Sequence, residues 1–181
     1  MALTSTIFTF DIELADVDRS VYETLSLRIP CHPSETEERL LARVLAYCLE
    51  YTEGIAFSNG LSDPDAPTVA VRDLTGTLLA WIDVGAPDAA RVHRASKAAP
   101  RVAVYTQDDP ARLLRAWSGE RIHRAAEVEL YAIDRAMLAA LVGKLKRRMQ
   151  LALAVTGGQL YVTVEGEVIE GVVQRQAIEA R

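Results

Sequence analysis

Residues 77–106 constrain the fold more than any other stretch. "TLLAWIDVG" reads as an apolar strand, "APDAARVHRASKAAP" as a helix and "RVAVYT" as a second strand. Pro87 stands near the start of that helix and Pro100 just past its end, where proline is tolerated. A strand, a helix and a strand in immediate succession imply a right-handed crossover, so strands 77–85 and 101–106 are expected to be parallel neighbours. That arrangement defines an α/β fold. Near the end of the first strand stands Asp83, and an unpaired carboxylate costs several kcal/mol to bury. Whatever compensates Asp83 is therefore a pointer to function.

Upstream, residues 5–14 ("STIFTFDIEL") and 20–29 ("SVYETLSLRI") alternate apolar and polar positions around "ADVDR", the pattern of a half-exposed hairpin. In "HPSETEERLLARVLAYCLEY", Ser34 stands three before Glu37 as in a capping box. Leu40, Leu41, Val44, Leu45, Cys48 and Leu49 then form one helical stripe, which predicts a helix over about 34–51. Three strand-like runs follow at 54–58, 67–73 and 77–85, and the turns "NGLSDPDA" and "LTG" suit antiparallel neighbours.

Downstream, "ARLLRAWSG" (111–119) reads as a short helix and "AAEVELYAI" (125–133) as a strand. Residues 134–149 read as a helix with Asp134 as N-cap and the basic run "KLKRR" in its last turns, which suits the helix dipole. A hairpin is expected about Gly157 and Gly158. No repeat, low-complexity tract or linker interrupts the chain, so one domain over 1–181 is expected. Its core spans about 34–106, preceded by an N-terminal ribbon (1–30) and followed by C-terminal strands and helix (107–181).

The 181 residues are 50% hydrophobic and carry a net charge of −5, so no bulk positive field draws in nucleic acid and any polyanion site must be local. The opening "MALTSTIFTFDIELADVD" lacks a basic segment followed by an apolar one. No run approaches the roughly 18 apolar residues of a membrane span, so a cytoplasmic protein with no membrane partner is expected. Cys31 and Cys48, without a CxxC, fit neither a disulfide framework nor a zinc site and read as reduced thiols. His32 and His123 lack partners at metal-ligand spacing. No GxGxxG, P-loop or nucleophile elbow is present.

Asp83 ends the third strand, where a twisted α/β sheet opens its ligand crevice, and Asp65 lies just before the second. If these strands are neighbours, the two carboxylates converge on one sheet edge and, with waters, suit a hard cation such as Mg²⁺ or Mn²⁺. Such an ion generates hydroxide and stabilises charge on a phosphate. Glu53, before the first strand, and Glu38, at the edge of the helical stripe, are candidates to complete the site. Arg94, Lys97 and Arg101 are spaced as on one helix face, with Arg91 and His93 nearby, making a local cationic patch.

This order of elements resembles the PD-(D/E)XK nuclease-like superfamily, whose core runs helix, three strands, helix, strand, with metal-binding acids on the second and third strands. More closely, the chain resembles the bacterial YaeQ family in "HPSETEER" (32–39), "EGIAFSNGL" (53–61), "DAP" (65–67), "DLTG" (73–76), "WIDVGAPD" (81–88) and "VAVYT" (102–106). The resemblance implies a mixed central sheet flanked by N- and C-terminal antiparallel strands. It also implies Asp65 and Asp83 as the acid pair of a Mg²⁺- or Mn²⁺-dependent site, with Glu38 or Glu53 as the additional acid. Two departures accompany it. Gly85 stands where nuclease-like enzymes carry a lysine, and Ala66 where the family tends to carry an acid. Arg94 takes the place of the basic residue on the following helix, and arginine holds phosphate but does not shuttle protons.

Two functions follow as expectations. One is a divalent-metal nuclease or phosphodiesterase acting on nucleic acid, with Asp65 and Asp83 on the metal and Arg94 or Lys97 near the scissile phosphate. The other is a non-catalytic binding or adaptor protein that keeps the nuclease-like fold, which Gly85 and Ala66 favour. For Asp83 and Asp65 the plainer roles are as capping or turn carboxylates. Aromatic residues are too scattered in sequence to reveal a base-stacking platform.

Overall fold

The computed structural model describes residues 4–58, 63 and 65–179, which form two compact units. The first comprises residues 1–41 and 134–173, the second 42–133 and 174–181. The turn "NGLSDPDA" and the motif "EGIAFSNGL" fall partly at Asn59, Gly60, Leu61, Ser62 and Pro64, outside the described residues.

In the first unit, β1 (Thr6–Asp16) and β2 (Val21–Cys31) form the expected antiparallel ribbon. Alternation works as period-two patterning requires: Phe10, Ile12 and Leu14 are buried, while Asp11 and Glu13 take the opposite face. The sheet continues through β8 (Arg148–Thr156), β9 (Gln159–Val164) and β10 (Glu167–Gln176), in the order β2-β1-β8-β9-β10. β8 lies parallel to β1, with Thr9 opposite Arg148, although only antiparallel flanking strands were expected. The β8–β9 hairpin turns at Gly157 and Gly158 as expected, their N–H groups donating to Asp18 at 2.7 and 2.9 Å.

Helix α4 (Arg135–Val142) buries Met137, Leu138 and Leu141. It approaches the sheet so closely that a Cβ on Gly171 would lie 2.6 Å from Met137 Sδ. Asp134 caps it through the Met137 N–H, but it ends at Val142, seven residues before the predicted end. The "KLKRR" run lies beyond the helix, where Lys144 meets Glu167 at 2.8 Å and Lys146 pairs with Glu165. Acids brought in by the β9–β10 turn replace the helix dipole as partners of these cations.

Helix α1 (Glu37–Leu49) begins three residues later than predicted. Ser34 instead joins a turn with His32, its hydroxyl 2.6 Å from Nδ1, and Thr36 Oγ1 accepts the Arg39 N–H at 3.2 Å. A hydroxyl already engaged in the preceding turn leaves the next one, Thr36, to take the orphan N–H.

The second unit carries β3 (Ile55–Phe57), β4 (Val69–Arg72), β5 (Leu78–Val84), β6 (Arg101–Thr106) and β7 (Glu129–Ile133), in the order β7-β6-β5-β4-β3. β3, β4 and β5 are antiparallel neighbours, and β5, β6 and β7 run parallel. The crossover from β5 to β6 passes through α2 (Ala89–Ala98), capped by Asp88 rather than Asp83, since Asp88 Oδ1 accepts the Arg91 N–H at 2.7 Å. With α3 (Pro110–Trp117), α2 buries Trp81, Val92, Ala95, Val102, Val104, Leu113, Trp117 and Leu130 as one cluster. By strand parity the opposite face carries Phe57, stacked 4.7 Å from Tyr47 of α1. Tyr51 joins Tyr47 at 6.1 Å, an aromatic group drawn from one short stretch of the chain.

Candidate functional site

Asp83 is 2% exposed, on the β5 face that carries Trp81 and toward α2. Its counter-charge comes from the chain. Arg91, in the first turn of α2, donates from Nε to Oδ2 at 2.7 Å and from Nη2 to Oδ1 at 2.9 Å, a two-pronged charge-assisted pair. Thr68, ahead of β4, adds its main-chain N–H (3.2 Å) and hydroxyl (3.4 Å) to Oδ1. The Thr68 hydroxyl in turn accepts the Val84 N–H at 3.4 Å. Both oxygens of Asp83 are thus engaged.

Arg91 is held beyond this pair. Nη2 donates to the Ala66 carbonyl at 2.7 Å and Nη1 to the Asp63 carbonyl at 3.4 Å, while the guanidinium lies 5.4 Å from the centre of the Trp81 ring. Hydrogen bonding to Asp83, against the opposing pull of burial, raises the Arg91 pKa above the ordinary guanidinium value. One side chain therefore neutralises Asp83 and fastens the loop that carries Asp65.

Asp65 itself is exposed in that loop, its N–H donating to Asp63 Oδ1 at 2.9 Å. Glu53 is exposed ahead of β3, and Glu38 is exposed in the first turn of α1, within the first unit. Among the described residues, no group of three or more His, Cys, Asp and Glu side chains is gathered as metal ligands. The donors around Asp83 are the Arg91 guanidinium and Thr68. Gly85 has φ +113°, a conformation that side chains with a Cβ rarely adopt. The glycine thus has a backbone reason: the chain turns sharply out of β5 there.

The expected basic face of α2 divides. Arg94 and Lys97 are exposed on the helix and form no side-chain ion pair with a described residue. Arg101 is not on the helix; it opens β6 and is consumed at the other end of the sheet. There its guanidinium divides between Glu50 (2.6 and 3.0 Å) and Glu129 (2.6 and 3.3 Å). Tyr105 donates to Glu50 at 2.6 Å and Tyr131 to Glu129 at 2.7 Å, with the two rings stacked 4.8 Å apart. Burial, then the adjoining carboxylate, pushes the Tyr131 phenol up to about 12 and Tyr105 further still. Burial alone would raise Glu129, but hydrogen bonds from Arg101 and Tyr131 outweigh it and leave the carboxyl below its ordinary value. This second cluster was missed in the sequence, because Glu50, Arg101 and Glu129 come from three elements far apart in the chain.

The family described as YaeQ protein has a model that matches residues 1–172. The chain belongs to the YaeQ family. It is 30% identical to the uncharacterized protein YaeQ of Escherichia coli (strain K12) over 166 residues, which cover 90% of this chain and 91% of that one. The crystal structure of the YaeQ protein from Xanthomonas axonopodis pv. citri superposes with a TM-score of 0.86 at 27% identity, covering 97% of this chain and all of that one (100%). That of the YaeQ protein from Pseudomonas syringae gives 0.84 at 33% identity, covering 97% of each chain. The YaeQ fold is thus shared over nearly the whole length. No helix of the described residues is long and apolar enough to cross a membrane.

Proposed function

We propose that the chain is a non-catalytic binding protein that keeps a nuclease-like order of helix, strands, helix and strand, and that its ligand class is nucleic acid. The observation that carries this reading is that the chain's own donors engage both oxygens of Asp83. Arg91 and Thr68 engage both carboxylate oxygens, in a pair only 3% and 22% exposed at the two side chains. A metal ion at these oxygens would compete with the Arg91 guanidinium, and breaking a buried ion pair costs about 3–5 kcal/mol. Gly85 supports the same reading, since no side chain is present there to serve the reacting phosphate. Nucleic acid as ligand is supported by Arg94 and Lys97, cations left uncompensated on a protein of net charge −5.

A specific observation favours a second reading, a Mg²⁺- or Mn²⁺-dependent nuclease with Asp65 and Asp83 on the metal and Glu53 or Glu38 completing the set. Arg91 bonds the carbonyl of Ala66, the residue after Asp65, so the Asp65 loop is tethered to the Asp83 site.

One experiment separates the two. Wild type and Asp83→Asn are incubated with single- and double-stranded DNA and RNA in Mn²⁺, and the melting temperature is measured with and without the ion. Binding without cleavage, and no Asp83-dependent rise in melting temperature, is the expected result. Cleavage that disappears in Asp83→Asn, with a metal-dependent stabilisation of the wild type, would establish the nuclease instead, because a ligand of the native state stabilises it.

A further inference from the structure

Three exposed cations outside the two buried clusters, Arg94, Lys97 and Arg121, belong to segments that touch. His93, one turn before Lys97 on α2, accepts the His123 N–H through Nδ1 at 3.1 Å, and the two rings meet edge to face at 6.5 Å. This contact brings the loop after α3, with exposed Arg121 and His123, against the exposed side of α2 that carries Arg94 and Lys97. Partial desolvation first, then the charges of Lys97 and Arg121, hold the His93 pKa below its ordinary value.

The loop is built into place. Arg124, in a left-handed conformation at φ 47°, sends its guanidinium to the carbonyls at the end of α2: Ser96 at 2.6 Å, Ala99 at 2.8 Å and Pro100 at 3.3 Å. The negative end of the α2 dipole therefore already has its cation. Lys97 and Arg121 are not needed for that role, and among the described residues neither forms a side-chain ion pair. Three cations with no side-chain ion pair among the described residues, held by two anchored elements on a chain of net charge −5, make a local concentration of positive charge.

We infer that Arg94, Lys97 and Arg121, set around the His93–His123 contact, form a docking surface for the phosphate backbone of a nucleic acid. Side chains three apart on a helix stand about 5–6 Å from one another and present repeated point charges. An exposed array of this kind reads a repeating polyanion through charge rather than through base edges. The inference rests on the nucleic-acid part of the proposed function and adds the surface that carries it.

The test uses the full chain and a fluorescently labelled oligonucleotide of about 20 nucleotides, as RNA and as DNA, with anisotropy followed across a salt series. Wild type is compared with Lys97→Ala/Arg121→Ala and with Arg28→Ala/Arg148→Ala, a control that removes the same charge from exposed positions of the first unit. The expected result is at least a tenfold loss of affinity at about 0.1 M salt for Lys97→Ala/Arg121→Ala. The slope of log affinity against log salt should flatten by roughly 1.4–1.8, the sum for two lost phosphate contacts. The control double variant should stay close to wild type. A second readout is the His93 imidazole titration followed by NMR, whose midpoint should rise when the oligonucleotide binds, because phosphate offsets Lys97 and Arg121. Equal losses in the two double variants, or tight binding that neither affects, would overturn this surface while leaving nucleic-acid binding standing. No binding by the wild type would overturn both.

Discussion

The two buried ionic clusters of the second unit solve one problem in different ways. At the C-terminal end of β5, one guanidinium serves one carboxylate, and Arg91 spends its remaining donors on the Ala66 and Asp63 carbonyls. At the N-terminal end of β6, one guanidinium serves two carboxylates. Two tyrosine hydroxyls share the load, and Arg175 approaches Glu129 at 4.0 Å. The first cluster fastens a loop to the sheet; the second ties Glu50, in the turn just after α1, to β6 and β7. In both clusters the acids are paired by the chain's own cations, and the acid that looks most like a ligand from the sequence is held by Arg91 and Thr68.

Breaking the first cluster should have the largest effect. Arg91→Ala leaves Asp83 buried without its counter-charge, and a loss of about 3–5 kcal/mol is expected in urea unfolding. Asp83→Asn in the same background should be less than additive with it, and strict additivity would mean the two residues are not coupled. Tyr105→Phe removes one donor from buried Glu50 in the second cluster, where a hydrogen bond to a charged group contributes about 1.5–3 kcal/mol. Its thermal denaturation should shift less than that of Arg91→Ala, and the reverse order would invert the comparison.

Acid sharpens the contrast. The Glu129 carboxyl lies below its ordinary value of 4.5, so its contribution is fully present above about pH 4.5 and is lost as pH falls through the folded-state value. Denaturant midpoints measured from pH 6 to pH 3 should therefore fall less steeply in Glu129→Gln than in wild type. The smallest effect belongs to Arg175→Ala, which removes a long and largely exposed ion pair. A change within about 1 kcal/mol is expected, and a larger one would show that Arg175 belongs to the cluster proper.

Legibility of these sites followed distance along the chain. Arg91 stands eight residues after Asp83, one short turn away, and was visible as a neighbouring cation; what was not visible was that it faces inward. By spacing alone Arg101 falls with Arg94 and Lys97 on one helical face. Pro100 ends the helix before it, and β6 carries its side chain to Glu50, 51 residues away in sequence, and Glu129, 28 away. The early start given to α1 shows the same limit on a smaller scale. Ser34 and Thr36 are both competent caps, and the choice between them was made by the contact with His32. Likewise, the parallel pairing of β1 with β8 joins the two ends of the chain, and no local pattern encodes it.

The sequence by itself determined the α/β class, the strand and helix order from β3 to β6, the antiparallel β3–β4–β5 and parallel β5–β6 pairings, and the exposure of Arg94 and Lys97. These depend on period, turn chemistry and chain connectivity, all of which act within a few residues. Only the tertiary structure decided which cation neutralises Asp83, which arginines are consumed, and that Arg121 and His123 come to stand beside α2. Electrostatic partners are chosen by distance in space, and burial makes the choice binding because an unmatched charge away from water costs far more than one in solvent.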